Sequence, residues 1–322
     1  MHGFSVLTEH QASMLLANHQ NALMDALLIA AYSKKAPYFL TRSDVFNNSF
    51  LKALFGLLRM IPIYRLRDGR DSLSRNQEIF ETCAHLLQNN QSILIFPEAN
   101  HNIQRRVRPL STGFTRILFH TLDKNPKIDI QLLPVGVNYK NAAGFPDSAA
   151  FYAGSALNLK ELYNSKDLRT ASKEIRARIS SAIAQLTTHV GEQYPYEETI
   201  SILDGLQPDY LDPVACNALI EGLNTQQSTK PIKTNENLFF KIWDGLFQLF
   251  NLPALLIWRG IVRKKISEIE FVSTYRFLFS FLFYPIYYLL LVLFATLLFS
   301  FLTAAGLTLL VFIFNLMYIK LR

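Results

Sequence analysis

Residues 277–319 contain no Asp, Glu, Lys, Arg or His. An uncharged, apolar run of 43 residues excludes a wholly soluble protein, and also a disordered or collagenous one. One crossing of a bilayer takes about 20 apolar residues, so the run holds two crossings if the chain turns midway. The smallest and least apolar stretch is Thr303-Ala304-Ala305-Gly306, which predicts helices over roughly 277–300 and 304–319. Arg259, Arg263, Lys264, Lys265 and Arg276 precede the first helix, and Lys320 and Arg322 follow the second. Basic residues on both outer flanks set both ends on the cytoplasmic face, which a transmembrane hairpin satisfies and a single span does not. A hairpin buried in a soluble core is disfavoured, because soluble helices normally alternate polar and apolar faces.

Upstream, residues 237–261 are also apolar, interrupted by Lys241 and Asp244 and kinked by Pro253. They read either as an interfacial or half-inserted segment with aromatic anchors, or as an amphipathic helix packed on the soluble part. The opening Met1-His2-Gly3-Phe4-Ser5 lacks a basic n-region, and the apolar stretch near 12–17 is too short for a cleavable signal. The expectation is a multi-pass membrane protein with residues 1 to about 210 in the cytoplasm. Short loops and missing eukaryotic signals fit a bacterial inner membrane.

The soluble part alternates. Strand-like runs at 13–17, 38–41, 60–64, 92–96, 129–135 and within 151–159 are separated by helical patterns at 22–32, 46–58, 72–88, 114–121 and 168–188. This spacing predicts an α/β domain with a largely parallel sheet flanked by helices. Ligands in such sheets bind beyond the carboxyl ends of strands. Two polar clusters, 18–25 and 97–108, fall there and are nominated as one site. The division expected is 1–205 for the catalytic domain, 206–236 for a linker rich in Gln, Thr, Asn and Pro, and 237–322 for the membrane region. Two cysteines, Cys83 and Cys216, are too few for a disulfide framework or a structural zinc site. A net charge of +7 suggests an anionic partner without naming it.

Four blocks carry chemistry: Asn18-His19 followed by Asp25, then Ile61-Pro62-Ile63-Tyr64-Arg65, then Phe96-Pro97-Glu98, then Leu133-Pro134-Val135. In this order and at these separations they resemble the glycerolipid acyltransferase family, the glycerol-3-phosphate and lysophosphatidate acyltransferases. The resemblance covers roughly residues 13–160. It implies a glycerol-3-phosphate acyltransferase-like fold and acyl transfer from acyl-CoA or an acyl-carrier protein, used as co-substrate with no further cofactor. The acceptor it implies is glycerol 3-phosphate or a related phosphate acceptor, with lysophosphatidate or another lysolipid as the alternative. Membrane lipids are expected partners and nucleic acid is not.

Acyl transfer to a hydroxyl needs a base, and an imidazole titrating near pH 6.5 suits the task. His19 fills that place, and Asp25 can hold its other ring nitrogen, as in the serine-hydrolase triad, with the substrate hydroxyl replacing the serine. The family commonly places four residues between His and Asp; here there are five. On a continuous helix a six-residue offset turns two side chains about 240° apart. His19 is therefore expected in the loop and Asp25 in the first turns of the helix. The longer spacing resembles that of some glycerol-3-phosphate and dihydroxyacetone-phosphate acyltransferases.

The resemblance makes Glu98 a residue that helps hold the acceptor; pairing with a nearby arginine is the structural alternative. Ala99 stands where the family has Gly, which costs about 1 kcal/mol if the position needs positive φ. Arg65 matches the arginine that contacts the acceptor phosphate, for which a planar guanidinium is suited. Asn18 and Asn100 are further candidate substrate ligands. Arg105, Arg106 and Arg108 cluster past Glu98, facing either phosphates of donor or acceptor, or anionic headgroups. Backbone N–H groups at Ser111-Thr112-Gly113 are candidates for receiving a phosphate or oxyanion. His-Glu-x-x-His, Gly-x-Ser-x-Gly and Walker motifs are absent, which disfavours a metal hydrolase, a serine esterase and a nucleotidase. The serious rival is a non-catalytic lipid-binding membrane protein on a degenerate acyltransferase domain, with Ala99 as its best argument.

Overall fold

The computed structural model describes residues 2–3, 11–33, 36–43, 55–64, 72–223 and 238–322. The chain divides into two compact units: residues 1–140 with 148–230, and residues 141–147 with 231–322.

The first unit is built on a seven-stranded sheet. Its strands are β1 (Ala12–Ala17), β2 (Tyr38–Arg42), β3 (Met60–Ile63), β4 (Ser92–Ile95), β5 (Ile130–Tyr139), β6 (Ala149–Ala153) and β7 (Leu157–Asn158). The order is β3-β2-β4-β1-β5-β6, with β7 also on β5. The first five strands in that order are mutually parallel, and β6 and β7 run antiparallel to β5. The sheet is thus mixed but largely parallel, as the alternation of patterns predicts.

β1 lies in the middle, and all six of its residues are buried. A strand covered on both faces loses the in–out alternation of an exposed sheet, which is why it reads as a continuous apolar run. Its one polar pair, Ser13 with Ser92 of β4, is satisfied across the ladder at 2.8 Å.

The helices supply apolar stripes to this sheet. α1 (Ala22–Tyr32) buries Ala22, Asp25, Ala26 and Ile29, a helical stripe with one carboxylate in it. α2 is Ser72–Gln88 and α3 is Gly113–Lys124. The short α4 (Leu159–Leu162) leads to α5 (Leu168–Leu186), which buries Ala171, Ile175, Ile179 and Ile183 at successive four-residue steps. Asp167 caps α5 by accepting from Thr170 N at 3.0 Å. The helix expected at 46–58 lies largely outside the described residues.

Beyond α5 come α6 (Tyr196–Leu206) and α7 (Pro213–Leu223). This corrects the expected linker at 206–236. The first part of that segment is a helix whose Cys216 and Ile220 pack with Val190, Leu203 and Tyr210 in a small core of their own. The turn-forming Gln207-Pro208-Asp209 that suggested a linker instead ends α6, with Gln207 in the left-handed region at φ 51°.

In the second unit, α8 (Leu238–Phe250) and α9 (Leu252–Ile257) lead through irregular helical turns to α10 (Val272–Ala295) and α11 (Phe301–Leu321). α11, and α10 with the turn before it, are long and apolar enough to cross a membrane. The turn between them falls at 296–300 rather than at 303–306. Ser300 fixes it there as N-cap, its Oγ accepting from Thr303 N at 3.3 Å. The small residues that suggested a turn lie inside α11, and Ala304 is fully buried there. Small side chains let apolar helices approach closely, so smallness marked a contact rather than a break. At the start of α10, Arg276 donates to Ala143 O at 3.1 Å and to Gly144 O, and Ser273 to Ala142 O at 2.6 Å.

One glycine allows the close approach that positions the site. A Cβ on Gly136 of β5 would lie 2.0 Å from the carbonyl oxygen of Leu186, at the end of α5. This is backbone against backbone, with no flexible side chain to yield. Gly136→Ala is expected to cost about 3 kcal/mol or to prevent folding. Thermal unfolding of the detergent-solubilised chain measures this, and a wild-type midpoint would contradict it.

Candidate active site

β1 ends at Ala17, and the next side chain continues the sheet. Asn18 Nδ2 donates to Val137 O at 3.0 Å, and Asn18 Oδ1 accepts from Val137 N at 2.7 Å. The amide pairs with both backbone groups of one β5 residue, as a peptide unit would. Expected as a substrate ligand, Asn18 is buried and spent on β5, where it fixes the direction in which the chain leaves β1.

That direction presents His19. Its Nδ1 lies 2.8 Å from Asp25 Oδ2. The long spacing is absorbed as the helix geometry requires: His19 is in the loop and Asp25 in the first turn of α1. Ala22 takes φ 42° at the junction. Asp25 is fully buried. Its Oδ2 also accepts from the backbone N–H groups of Gln20 and Asn21, each at 2.9 Å, and its Oδ1 accepts from the Tyr139 hydroxyl at 2.6 Å. With this carboxylate serving as acceptor throughout, the hydrogen between it and the ring sits on Nδ1, so that in the neutral ring the lone pair is on Nε2. The His19 ring stacks on Phe96 at 4.0 Å and meets His101 edge-on at 5.6 Å. The side chain remains 16% exposed, so the ring is held but reachable.

The Phe96–Asn100 turn forms the facing wall. Glu98, also buried, accepts from His19 N at 3.3 Å and from Arg108 N at 3.0 Å, and pairs with Arg108 Nη2 at 2.5 Å. Arg108 Nη2 also donates to Asn100 O at 2.6 Å, and Nη1 donates to Asn100 Oδ1. Glu98, Asn100 and Arg108 are thus one network that holds the loop against the backbone of His19. Asn102 N donates to His19 O at 3.0 Å and closes the contact from the other side. Ser111 N donates to Pro97 O at 2.7 Å, which sets the start of α3 beside this turn.

The structure turns Arg105 and Arg106 away from the proposed ligand role. Arg105 donates to Tyr139 O and Lys140 O, each at 2.9 Å, and lies 3.5 Å above the Tyr210 ring. Burial pushes its guanidinium pKa down, with Tyr210 and Tyr196 opposing that. Arg106 donates to the carbonyls of Val190, Gly191 and Tyr194. Arg105 thus links the end of β5 to Tyr210, and Arg106 holds the carbonyls of the 190–194 turn. Next to them, His189 Nδ1 accepts from Val107 N at 3.0 Å, and burial, then Arg106, lowers the pKa of that ring. Arg65 lies outside the described residues.

Tyr139 is the site residue that the sequence reading missed. It ends β5, the neighbour of β1, on the same face as Val135 and Val137. The available signal was an aromatic with a polar tip at the carboxyl end of a buried strand.

Comparison with known proteins gives matches over the first part of the chain. Residues 1–138 match the acyltransferase family model. An uncharacterised acyltransferase of Schizosaccharomyces pombe is 30% identical over 122 residues, 37% of this chain and 18% of that protein. Glycerol-3-phosphate O-acyltransferase 1 of Saccharomyces cerevisiae is 27% identical over 138 residues, 41% of this chain and 17% of that protein. The chain therefore spans less than a fifth of the length of these curated relatives. The crystal structure of the 1-acyl-sn-glycerophosphate (LPA) acyltransferase PlsC of Thermotoga maritima aligns at a TM-score of 0.38 and 16% identity, covering 56% of this chain and 69% of that one. Residues 1–138 are thus similar in sequence to the acyltransferase family.

Ala99 takes φ 64°, so of the two conformations left open for this position it adopts the left-handed one. Ala99→Gly should relieve that strain and raise stability by about 1 kcal/mol. Denaturant unfolding followed by far-ultraviolet circular dichroism checks this, and an unchanged or lower stability would show that the turn carries no such strain.

Proposed function

We propose that this chain moves a fatty acyl group from a thioester donor, acyl-CoA or acyl-carrier protein, to the hydroxyl of glycerol 3-phosphate or a related phosphate acceptor, as a step in phospholipid synthesis. The observation that carries the reading is the His19–Asp25 pair at the carboxyl edge of β1, with a buried carboxylate and an accessible imidazole.

In this mechanism Nε2 of His19 removes the acceptor's hydroxyl proton as that oxygen attacks the thioester carbonyl carbon. Asp25 holds the tautomer and stabilises the imidazolium that forms. The tetrahedral adduct collapses, the carbon–sulfur bond breaks, and the thiolate takes the proton back from Nε2. The products are an ester and a free thiol, with no acyl-enzyme and no further cofactor. Glu98 and Asn100 act through Arg108, holding the loop opposite the base, and Arg65 supplies the positive charge for the acceptor phosphate. The apolar helices hold the domain at the membrane where the acyl product is delivered. In this reading both ends of the hairpin, and the catalytic domain, lie on the cytoplasmic face.

The test is thiol release from acyl-CoA by membranes carrying the full chain. Release that requires glycerol 3-phosphate and falls about 10²–10⁴-fold in His19→Ala is expected. Release unaffected by the substitution, or absent with every phosphate acceptor, would make this a lipid-binding protein on an inactive domain. Lysophosphatidate, run in parallel, decides the acceptor.

Tyr139→Phe should lower kcat up to about tenfold, the scale of one hydrogen bond, with KM for the acceptor little changed. A change confined to KM would place Tyr139 in acceptor binding instead.

A further inference from the structure

The segment before the two long helices is too apolar for an ordinary surface and too charged for an ordinary span, and its contacts within the second unit define its path. α8 runs antiparallel to the end of α11. Asp244 accepts from Tyr318 Oη at 3.0 Å and pairs with Arg322 at 2.5 Å. One turn on, Phe247 stacks on Tyr318 at 3.9 Å. Another turn on, Asn251 and Asn315 exchange amide hydrogen bonds at 2.8 and 3.0 Å. Tyr284 of α10 donates to Asn251 Oδ1 at 3.0 Å, and Tyr288 accepts from Asn315 Nδ2 at 2.9 Å.

The spacings agree on all three elements. The steps from Asp244 to Asn251 and from Arg322 to Asn315 are each about 10 Å along a helix, and from Arg276 to Tyr284 about 12 Å. The unit thus carries a charged layer and, one third of a bilayer core deeper, a polar layer. Asn251 is fully buried in that deeper layer, and there the helical axis bends by 81°. The 13 residues of α8 reach about 20 Å, short of a hydrocarbon core of about 30 Å. Past the bend the chain carries Arg259, Arg263, Lys264 and Lys265, all exposed. Each would cost about 3 kcal/mol at the bilayer centre. From Lys265 to Val272, seven residues reach at most about 25 Å, so the basic group cannot lie across the membrane from the start of α10.

We propose that residues 238–265 form a re-entrant segment that enters and leaves by one membrane face. Its outward apolar residues, among them Leu246, Leu249, Leu252 and Leu256, are covered by the acyl chains of that leaflet alone. This resolves the alternatives of a surface helix and a half-inserted one in favour of insertion. Asn251 can be buried because the bend presents it to Asn315 and Tyr284, which satisfy its amide where lipid would not. The basic group returns the chain to the headgroups. The inference rests on the hairpin spanning a membrane, as proposed above.

Cysteine accessibility in the full chain tests it, in sealed vesicles of both orientations with a membrane-impermeant maleimide. Cys83 and Cys216 are buried and serve as the silent background. Lys241→Cys, Lys264→Cys and Lys320→Cys are expected to label from one face, Phe299→Cys from the other, and Leu252→Cys only after detergent is added. Labelling of Lys241→Cys and Lys264→Cys from opposite faces would overturn the proposal in favour of a third span. Labelling of Leu252→Cys as readily as Lys264→Cys in intact vesicles would overturn it in favour of a surface helix. If Phe299→Cys labels from the same face as Lys320→Cys, the membrane hairpin itself fails, and this proposal with it.

Discussion

A single buried carboxylate organises the catalytic half of this protein. Asp25 sits on the apolar stripe of α1, where an unpartnered charge would be strongly destabilising. Four donors from three sources meet it: the His19 ring, the backbone N–H groups of Gln20 and Asn21, and the Tyr139 hydroxyl. The donors are placed by two parts of the fold. The loop after β1 brings the ring and the two amides, and β5 brings the phenol. The contacts that make Asp25 tolerable inside the protein are the same ones that fix the tautomer and direction of His19, so here folding and chemistry make one demand.

Around that centre, polar side chains do the work of backbone. Asn18 pairs with Val137 as an extra rung of the β1–β5 ladder. Asn138 and Thr187 tie the end of α5 to the same strand, which Gly136 lets approach. The Glu98–Arg108–Asn100 network holds the facing loop. Arg105 and Arg106 bind the 188–210 segment through its carbonyls and through Tyr196 and Tyr210. A guanidinium with five donors suits anchoring irregular backbone as well as it suits phosphate, which is why three arginines within four residues carried no information about which they would do. Only the tertiary partners separate Arg108, beside the site, from its two neighbours.

The second unit obeys the same rule. Its outward side chains are large and apolar, and its few polar groups face one another: Asn251 with Asn315, Asp244 with Arg322. In the membrane setting proposed above each of these must find a partner inside the unit, so a handful of polar contacts fixes how the helices meet.

Local chemistry was enough to read much of this. The buried run of β1, the helical pattern of α5, and the uncharged stretch that became α10 and α11 depend on near neighbours in the chain, and their character was legible there. So was the placement of His19 in a loop and Asp25 in a helix, because a six-residue offset admits no other way for them to meet. What the chain order could not reveal was decided by contacts across long separations. Tyr139 reaches Asp25 over 114 positions and Asn18 reaches Val137 over 119. The turn at 296–300 depends on a serine cap and on a buried alanine packed between helices, whereas the sequence favoured the small residues themselves. The helix at 213–223 depends on a core assembled from Val190, Leu203 and Tyr210. Periodicity and spacing record what a residue does within its own element. Which arginine pairs with Glu98, and which phenol holds the carboxylate, is settled only when separate elements are packed together.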